Sequence, residues 1–295
     1  MKNIRRVGLG SERMGMFGAV NLAVAQWWHG AQHGYTAAPT WFHSPYKRKE
    51  EPRKDGWDIF FDRVGHTAED AHNQKYPAEK NIHDSLITPR GPMQTVPPGW
   101  DPLDKPALIP LLPPENKHEL NRVILDNFRI KMSILHGAWH QSIALPRPIV
   151  GMHIRGPLRI HGCTALMIRD QKWTAPPYQQ YFEGFESLRG QFPGAWIYLA
   201  TDSHEVVEAV RERYGDRVIL HTACRPAKGE PHLDPDVQVN RISLGVDVLM
   251  DMLMLAACDA VVHGNSNLTN FLQAYVPKQE KVDIFRPYYE MKGWI

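Results

Sequence analysis

In the stretch "PIVGMHIRGPLRIHG", Pro148 to Gly162, the residues His153, Arg155, Arg159 and His161 fall on odd positions behind the apolar run Ile149–Val150. A short apolar run of this kind reads as a buried strand. A guanidinium at its end has two uses. It can pair with a surface carboxylate, or it can grip an anion, since arginine is the side chain best shaped for phosphate. The neighbouring elements have to decide between them.

Those elements alternate. "PIVGMHI" reads as a strand, residues 178–191 as a helix, "AWIYLAT" as a strand and "SHEVVEAVRERYG" as a helix. Then come "DRVILH" as a strand, "SLGVDVLMDMLMLAACD" as a helix, "AVVHG" as a strand, "SNLTNFLQAYV" as a helix and "KVDIF" as a last strand. Short strands alternating with helices predict an α/β fold, a parallel sheet wrapped by helices. Ligands of such sheets bind beyond the carboxyl ends of the strands. The residues converging there are His153, Arg155 and Arg159, then Thr201, Asp202 and Ser203, the loop after His221, and Gly264, Asn265, Ser266 and Asn267. Arginine, hydroxyls and helix N-termini together suit a phosphate, because unpaired N–H groups and the helix dipole favour anions.

Plainer roles exist for several of them. Asp202 with Glu205 three residues on has the spacing of a capping box, and Ser266 is a plausible helix cap. Asp251 stands one turn after Asp247 in a helix that is apolar on nearly every face, so one of the pair belongs near the core. A carboxylate there needs donors. Backbone amides could supply them, and so could the paired N–H donors of a guanine edge.

Composition sets bounds. The chain of 295 residues has 43% hydrophobic and 22% charged residues, enough apolar material for two cores. A formal net charge of +2 argues against a general nucleic-acid binder. Cys163, Cys224 and Cys258 are far apart and form no CxxC, as expected of free thiols in a reducing compartment. The N-terminal "MKNIRRVGLGSERMGMFGAV" has Ser11, Glu12 and Arg13 where a signal peptide needs an unbroken apolar run. The most apolar helix carries Asp247, Asp251 and Asp259, which suits a buried helix better than a membrane span. The expected location is cytoplasmic, with the inner face of a membrane allowed. No GxGxxG follows a strand and no GxxxxGK[ST] is present, so dinucleotide and P-loop chemistry have no support. "HGAQH" offers His29 and His33 one turn apart without a third ligand, and no metal or cofactor is expected.

The first half is less regular. "AVNLAVAQWWHGAQHGY" predicts a helix stopped by Gly34, and "WDIFFD" a short strand or turn. Nine prolines between Pro89 and Pro114 predict a long extended connection. Leu120, Ile124, Phe128, Met132 and Leu135 predict one helical face over residues 115–136, and "ALPRP" marks the border between two halves. Trp27, Trp28, Trp41 and Trp57 could stack on sugars or pack a core.

Three of these segments, in order, resemble the GDP-fucose-dependent fucosyltransferases, the family of the rhizobial nodulation enzyme, the α1,6-fucosyltransferases and, more distantly, the protein O-fucosyltransferases. They are "IVGMHIRGP", "IYLATDSHEVVEAVRERYGDRVI" and "GVDVLMDMLMLAACDAVVHGNSNLTNFLQAYVP". The resemblance implies a GT-B-like fold, two Rossmann-like halves facing a crevice. Residues 1–144 would form the acceptor-side half, with a proline-rich connection at 88–114, and residues 145–295 the nucleotide-sugar-binding half. It implies inverting, metal-independent transfer of a 6-deoxyhexose, L-fucose first, from a GDP-linked sugar donor to a glycan or glycolipid acceptor. Arg155 would hold the β-phosphate, His153 and Asp251 would border guanine, Asp202 would lie near the nucleotide, and Ser266 with Asn267 would meet the phosphates. Relatives often carry a second basic residue straight after the motif arginine; here Gly156 and Pro157 follow, and Arg159, further on, would take that role. No base matches the family pattern; His161 or Asp170 would serve, or the reaction would need no strong base. A transferase for a different nucleotide sugar, or a non-catalytic nucleotide-sugar or glycan binder, would share the same phosphate site.

Overall fold

A computed structural model describes residues 4–9, 15–42, 44–47, 50, 54–69, 114–155, 178–225 and 240–291. The chain clusters into two compact units. One comprises Met1–Met132, Asn240–Gly245 and Asn270–Pro277, and the other Ser133–Val239, Val246–Thr269 and Lys278–Ile295. The proline-rich connection and Cys163 lie outside the described residues.

In the first unit, β1 (Ile4–Gly8), α1 (Met16–His33) and β2 (Thr36–Thr40) form a β-α-β unit whose strands pair in parallel, Ile4 opposite Thr36. Gly34 ends α1 as expected, at a φ of 70°, with its N–H donating to the Gly30 carbonyl. A left-handed residue there favours glycine. "WDIFFD" becomes one turn of helix, α2 (Trp57–Phe60), followed by β3 (Phe61–Asp62).

The periodic stretch from residue 115 to 136 is not one helix. It divides into α3 (Pro114–Asn127), β4 (Arg129–Ile130) and the start of α4 (Met132–Ile143). The break comes where β4 pairs antiparallel with β3 and Lys131 N–H donates to the Phe60 carbonyl. A local ladder therefore overrides a continuous helical pattern. Leu120, Ile124 and Phe128 are buried, whereas Met132 is 70% exposed.

All four tryptophans considered for sugar stacking are core residues, Trp27, Trp28, Trp41 and Trp57 being at most 5% exposed. Trp27 meets Trp57 edge-on at 5.7 Å, and Trp57 meets Phe61 at 4.4 Å. Beneath them Asp55 accepts the backbone N–H groups of Trp41 and Trp57 and pairs with Arg63 at 2.8 Å. That buried carboxylate is fully engaged, which is what makes its burial tolerable.

The second unit is built on β5 (Ile149–Ile154), α5 (Tyr178–Leu188), β6 (Trp196–Thr201), α6 (His204–Tyr214) and β7 (Val218–Ile219). It continues with α7 (Arg241–Ala256), β8 (Ala260–His263), α8 (Asn267–Tyr275), β9 (Glu280–Asp283) and α9 (Arg286–Met291), α7 and α8 having residues in both units. Its five strands pair in parallel in the order β7-β6-β5-β8-β9. The expected strand at "DRVILH" shrinks to two residues at the sheet edge.

Both sheet faces are covered. A Cβ on Gly151 would sit 2.7 Å from Leu255 of α7, and a Cβ on Gly184 of α5 would sit 2.8 Å from Val262 of β8. Strand side chains alternate between faces. Gly151, His153, Tyr198, Val261 and His263 therefore share the α7 face, because Gly151 is registered with Tyr198 and Val261, and His153 with His263. Among the described residues no helix is long and apolar enough to cross a membrane.

Candidate functional site

Chain order reverses between β5 and β8: β6 and β7 are laid down on one side of β5, β8 and β9 on the other. Connections leave the sheet in opposite directions there, opening a crevice at the carboxyl ends of those two strands. His153 and Arg155 end β5, and His263 to Ser266 follow β8. This is where sequence reasoning expected an anion.

Arg155 Nη1 lies 2.6 Å from Asp202 Oδ2, joining the end of β5 to the residue after β6. The guanidinium side chain is 33% exposed. Asp202 is not the helix cap its spacing suggested. Ser203 caps α6, its Oγ accepting the Val206 N–H, while Thr201 Oγ1 accepts the Ser203 N–H. The cap moves one residue along because Thr201 closes the turn, and this leaves the carboxylate to the arginine. The ion pair holds the arginine in one place. A guanidinium carries five N–H donors, so a carboxylate on one side is compatible with an anion on another.

His153 is 6% exposed, and its Nδ1 has no hydrogen-bond partner among the described residues. Burial, with Arg155 adding to it, lowers its pKa to about 3. The ring is neutral at working pH. A buried ring nitrogen without a partner is uncommon in proteins. Its registered neighbour His263 is fully buried, with Nδ1 3.0 Å from the Gly264 carbonyl.

The turn after β8 is locked by reciprocal bonds. Ser266 Oγ accepts the Thr269 N–H at 3.1 Å, Thr269 Oγ1 accepts the Ser266 N–H at 3.0 Å, and the Thr269 hydroxyl donates to the Gly264 carbonyl at 2.9 Å. Ser266 is thus the cap of α8, and Asn267 is its first residue. A Cβ on Gly264 would lie 2.4 Å from the Tyr181 hydroxyl and 3.2 Å from Phe285. Gly264→Ala is expected to destabilise the protein by about 1–3 kcal/mol through overpacking. At roughly 2–4 °C per kcal/mol this lowers the melting temperature by several degrees. An unchanged melting curve would show that the turn yields freely.

Asp251 lies in a second cluster. The Tyr198 hydroxyl donates to its Oδ1 at 2.8 Å. Burial pushes the Asp251 carboxyl up to about 6 and Asp247 adds to the rise, while the Tyr198 hydrogen bond, Arg225 and His221 oppose it. Asp247, one turn earlier, pairs instead with His221 Nε2 at 3.0 Å. The fold therefore disfavours the charge on Asp251. Arg225 donates to three backbone carbonyls, those of Thr201, His221 and Ala223, and so ties the loop after β7 to the end of β6.

The structure brings together Arg155 and Asp202, places His153 beside His263, and sets Ser266 and Asn267 at the neighbouring strand end. Arg159, His161 and Asp170 lie outside the described residues. Sequence reasoning missed Tyr198 and Arg225. Tyr198 sits in an apolar strand with nothing to mark its hydroxyl. Arg225 follows a two-residue strand with no periodicity, and its distance of four residues from His221 was the one available clue. Among the described residues no group of three or more metal-ligating side chains occurs. His29 and His33 stack at 3.8 Å, with their Nδ1 atoms directed to Tyr35 and to the His29 carbonyl.

No protein-family model and no curated protein sequence matches the chain. Solved structures do. NodZ α1,6-fucosyltransferase soaked with GDP-fucose aligns at a TM-score of 0.54 and 18% identity, covering 93% of this chain and 91% of that one. Selenomethionyl NodZ from Bradyrhizobium aligns at 0.56 and 16% identity, covering 95% and 92%. A point mutant of Arabidopsis thaliana FUT1 in complex with GDP aligns at 0.51 and 11% identity, covering 97% of this chain and 70% of that one. The fold is an α/β fold with a five-stranded parallel sheet, like that of the GT-B fucosyltransferases. At these identities the likeness is one of fold.

Proposed function

We propose that the chain is an inverting glycosyltransferase that moves a 6-deoxyhexose, L-fucose first, from a GDP-linked donor to a glycan or glycolipid acceptor without a metal ion. The observation that carries this reading is Arg155, fixed by Asp202 at 2.6 Å at the carboxyl end of β5, where the strand order reverses. The solved structures of NodZ with GDP-fucose and with GDP support the choice of nucleotide.

In this reading the acceptor hydroxyl attacks C1 of the sugar from the side opposite the nucleotide. The new C–O bond forms as the bond from C1 to the phosphate oxygen breaks, and the electron pair leaves on the β-phosphate of GDP. Negative charge grows on that phosphate, and Arg155 is prearranged to meet it. The Ser266 turn and the N-terminus of α8 stand at the neighbouring strand end, where N–H groups and the dipole favour the phosphates. Asp251 accepts the N–H donors of guanine through the oxygen that Tyr198 leaves available, and the unpartnered His153 Nδ1 meets a polar group of the nucleotide. The acceptor proton passes to a base, for which His161 and Asp170 are the candidates.

The test is thermal stabilisation by GDP, UDP, ADP and dTDP with a chelator present throughout. Ligand at 100 times its dissociation constant adds about 2.7 kcal/mol. A shift confined to GDP supports the guanine site and metal independence together. A shift with UDP or dTDP instead moves the donor, and no shift with any of the four overturns the reading. Release of GDP from GDP-fucose in the presence of acceptor glycans then separates a transferase from a binding protein, which would saturate without turnover.

A further inference from the structure

We infer that His136 and His140 of α4 form half of a zinc site, which two copies of the chain complete across the exposed face of that helix. The two residues are one helical turn apart and so project from the same face. Their Nε2 atoms lie 3.1 Å apart. Zinc binds imidazole nitrogen at about 2.0–2.1 Å, so nitrogens at this separation subtend roughly 100° at a shared ion, close to the tetrahedral angle. The other His-x3-His pair, His29 and His33, stacks its rings face to face and directs both Nδ1 atoms to local partners.

Among the described residues this site has two ligands, no cluster of three ligating side chains occurring there. The surroundings indicate where the other two come from. Ile134 and Ala138 pack one side of α4 inward. On the side of the histidines, Met132, Trp139 and Ile143 are 70%, 57% and 61% exposed. Their positions, with 136 and 140, follow the helical repeat and make one stripe. Trp139 lies against both rings, its centroid 6.2 Å from that of His136 and 5.0 Å from that of His140. A helix face that is apolar, outward and centred on half a tetrahedral site lacks two imidazoles and an apolar cover. A second copy related by a twofold axis brings both at once, since such an interface presents the same patch from each side.

Sedimentation velocity of the full chain, with Zn2+ added or with a chelator, tests this. Zinc is expected to convert monomer to dimer at one ion per two chains. Trp139 emission is expected to change in step, an effect absent from Trp139→Phe. His136→Gln and His140→Gln, both exposed surface changes, are each expected to stay monomeric in zinc while melting like the unaltered chain in chelator. No change of mass in zinc, one ion bound per chain, or a dimer that survives both histidine substitutions would each overturn the proposal.

Discussion

Arg155→Ala is expected to cut the transfer rate by about 100-fold or more, with nucleotide binding reduced less than turnover. Removing one prearranged donor from a position where charge develops typically costs on that order. The side chain is one-third exposed, which screens the pair in part, while its partner Asp202 is 17% exposed and loses this cation, so a modest loss of stability is expected. The fold should survive, with the melting temperature shifted by no more than a few degrees. Arg155→Lys should fall between, because an ammonium keeps the charge but lacks the planar fork of donors. The measurement is initial velocity with GDP-fucose and a responsive acceptor, alongside melting curves for both variants. Near-normal turnover in Arg155→Ala would remove the arginine from the mechanism.

Asp251 provides the second large effect, in nucleotide choice and its dependence on pH. The carboxyl titrates near pH 6 in the free protein because burial disfavours its charge. Guanine donors bind the ionised form, so preference for GDP should be full above pH 7 and fall as the pH drops through about 6. The direction follows from the sign of the shift: protons compete with the ligand below the raised pKa. The terminal phosphate of any nucleoside diphosphate also titrates near pH 6. The ratio of GDP to UDP affinity cancels that contribution and isolates the carboxylate. His153, held near a pKa of 3, stays neutral across the range and adds no slope. The groups facing Asp251 are Tyr198, Arg225, His221 and Asp247.

Hydrogen bonds to a charged acceptor are worth about 1.5–3 kcal/mol, so Asp251→Asn should lose roughly 10- to 100-fold of the GDP preference and flatten its pH dependence. Tyr198→Phe removes a hydrogen bond that favours the ionised form and should move the acid limb upward. An unchanged GDP to UDP ratio in Asp251→Asn would take guanine away from this residue.

The sheet was legible in the sequence because its signal is repeated. Each strand is a short apolar run and each helix has its own period, so Ile149–Ile154, Trp196–Thr201 and Ala260–His263 fall where expected. The place of Arg155 directly after β5 was legible because the apolar run before it ends so clearly. The failures share a cause, which is competition between local patterns of similar strength. Asp202 and Ser203 are both good caps, and the hydroxyl of Thr201, one residue upstream, decides between them. Phe128 continues a helical face, yet two residues of ladder with Phe61 and Asp62 end the helix. Tyr198 acts through a partner distant in sequence, and no spacing rule announces a hydroxyl that meets a helix 53 residues away.

The central strand of the sheet also has a biosynthetic history. β5 takes β6 as one neighbour within about 50 residues of chain, but its other neighbour, β8, begins at Ala260, more than twice as far along. During synthesis the β8-facing edge of Ile149–Ile154 therefore stands open until the chain has been made as far as Ala260. An apolar strand with an unpaired edge is a template for wrong pairing, and intermediates that expose one are prone to aggregate. Nascent chains cut before residue 260 should accordingly be insoluble or held by chaperones, and recovery of folded protein should rise sharply once His263 can pair beside His153.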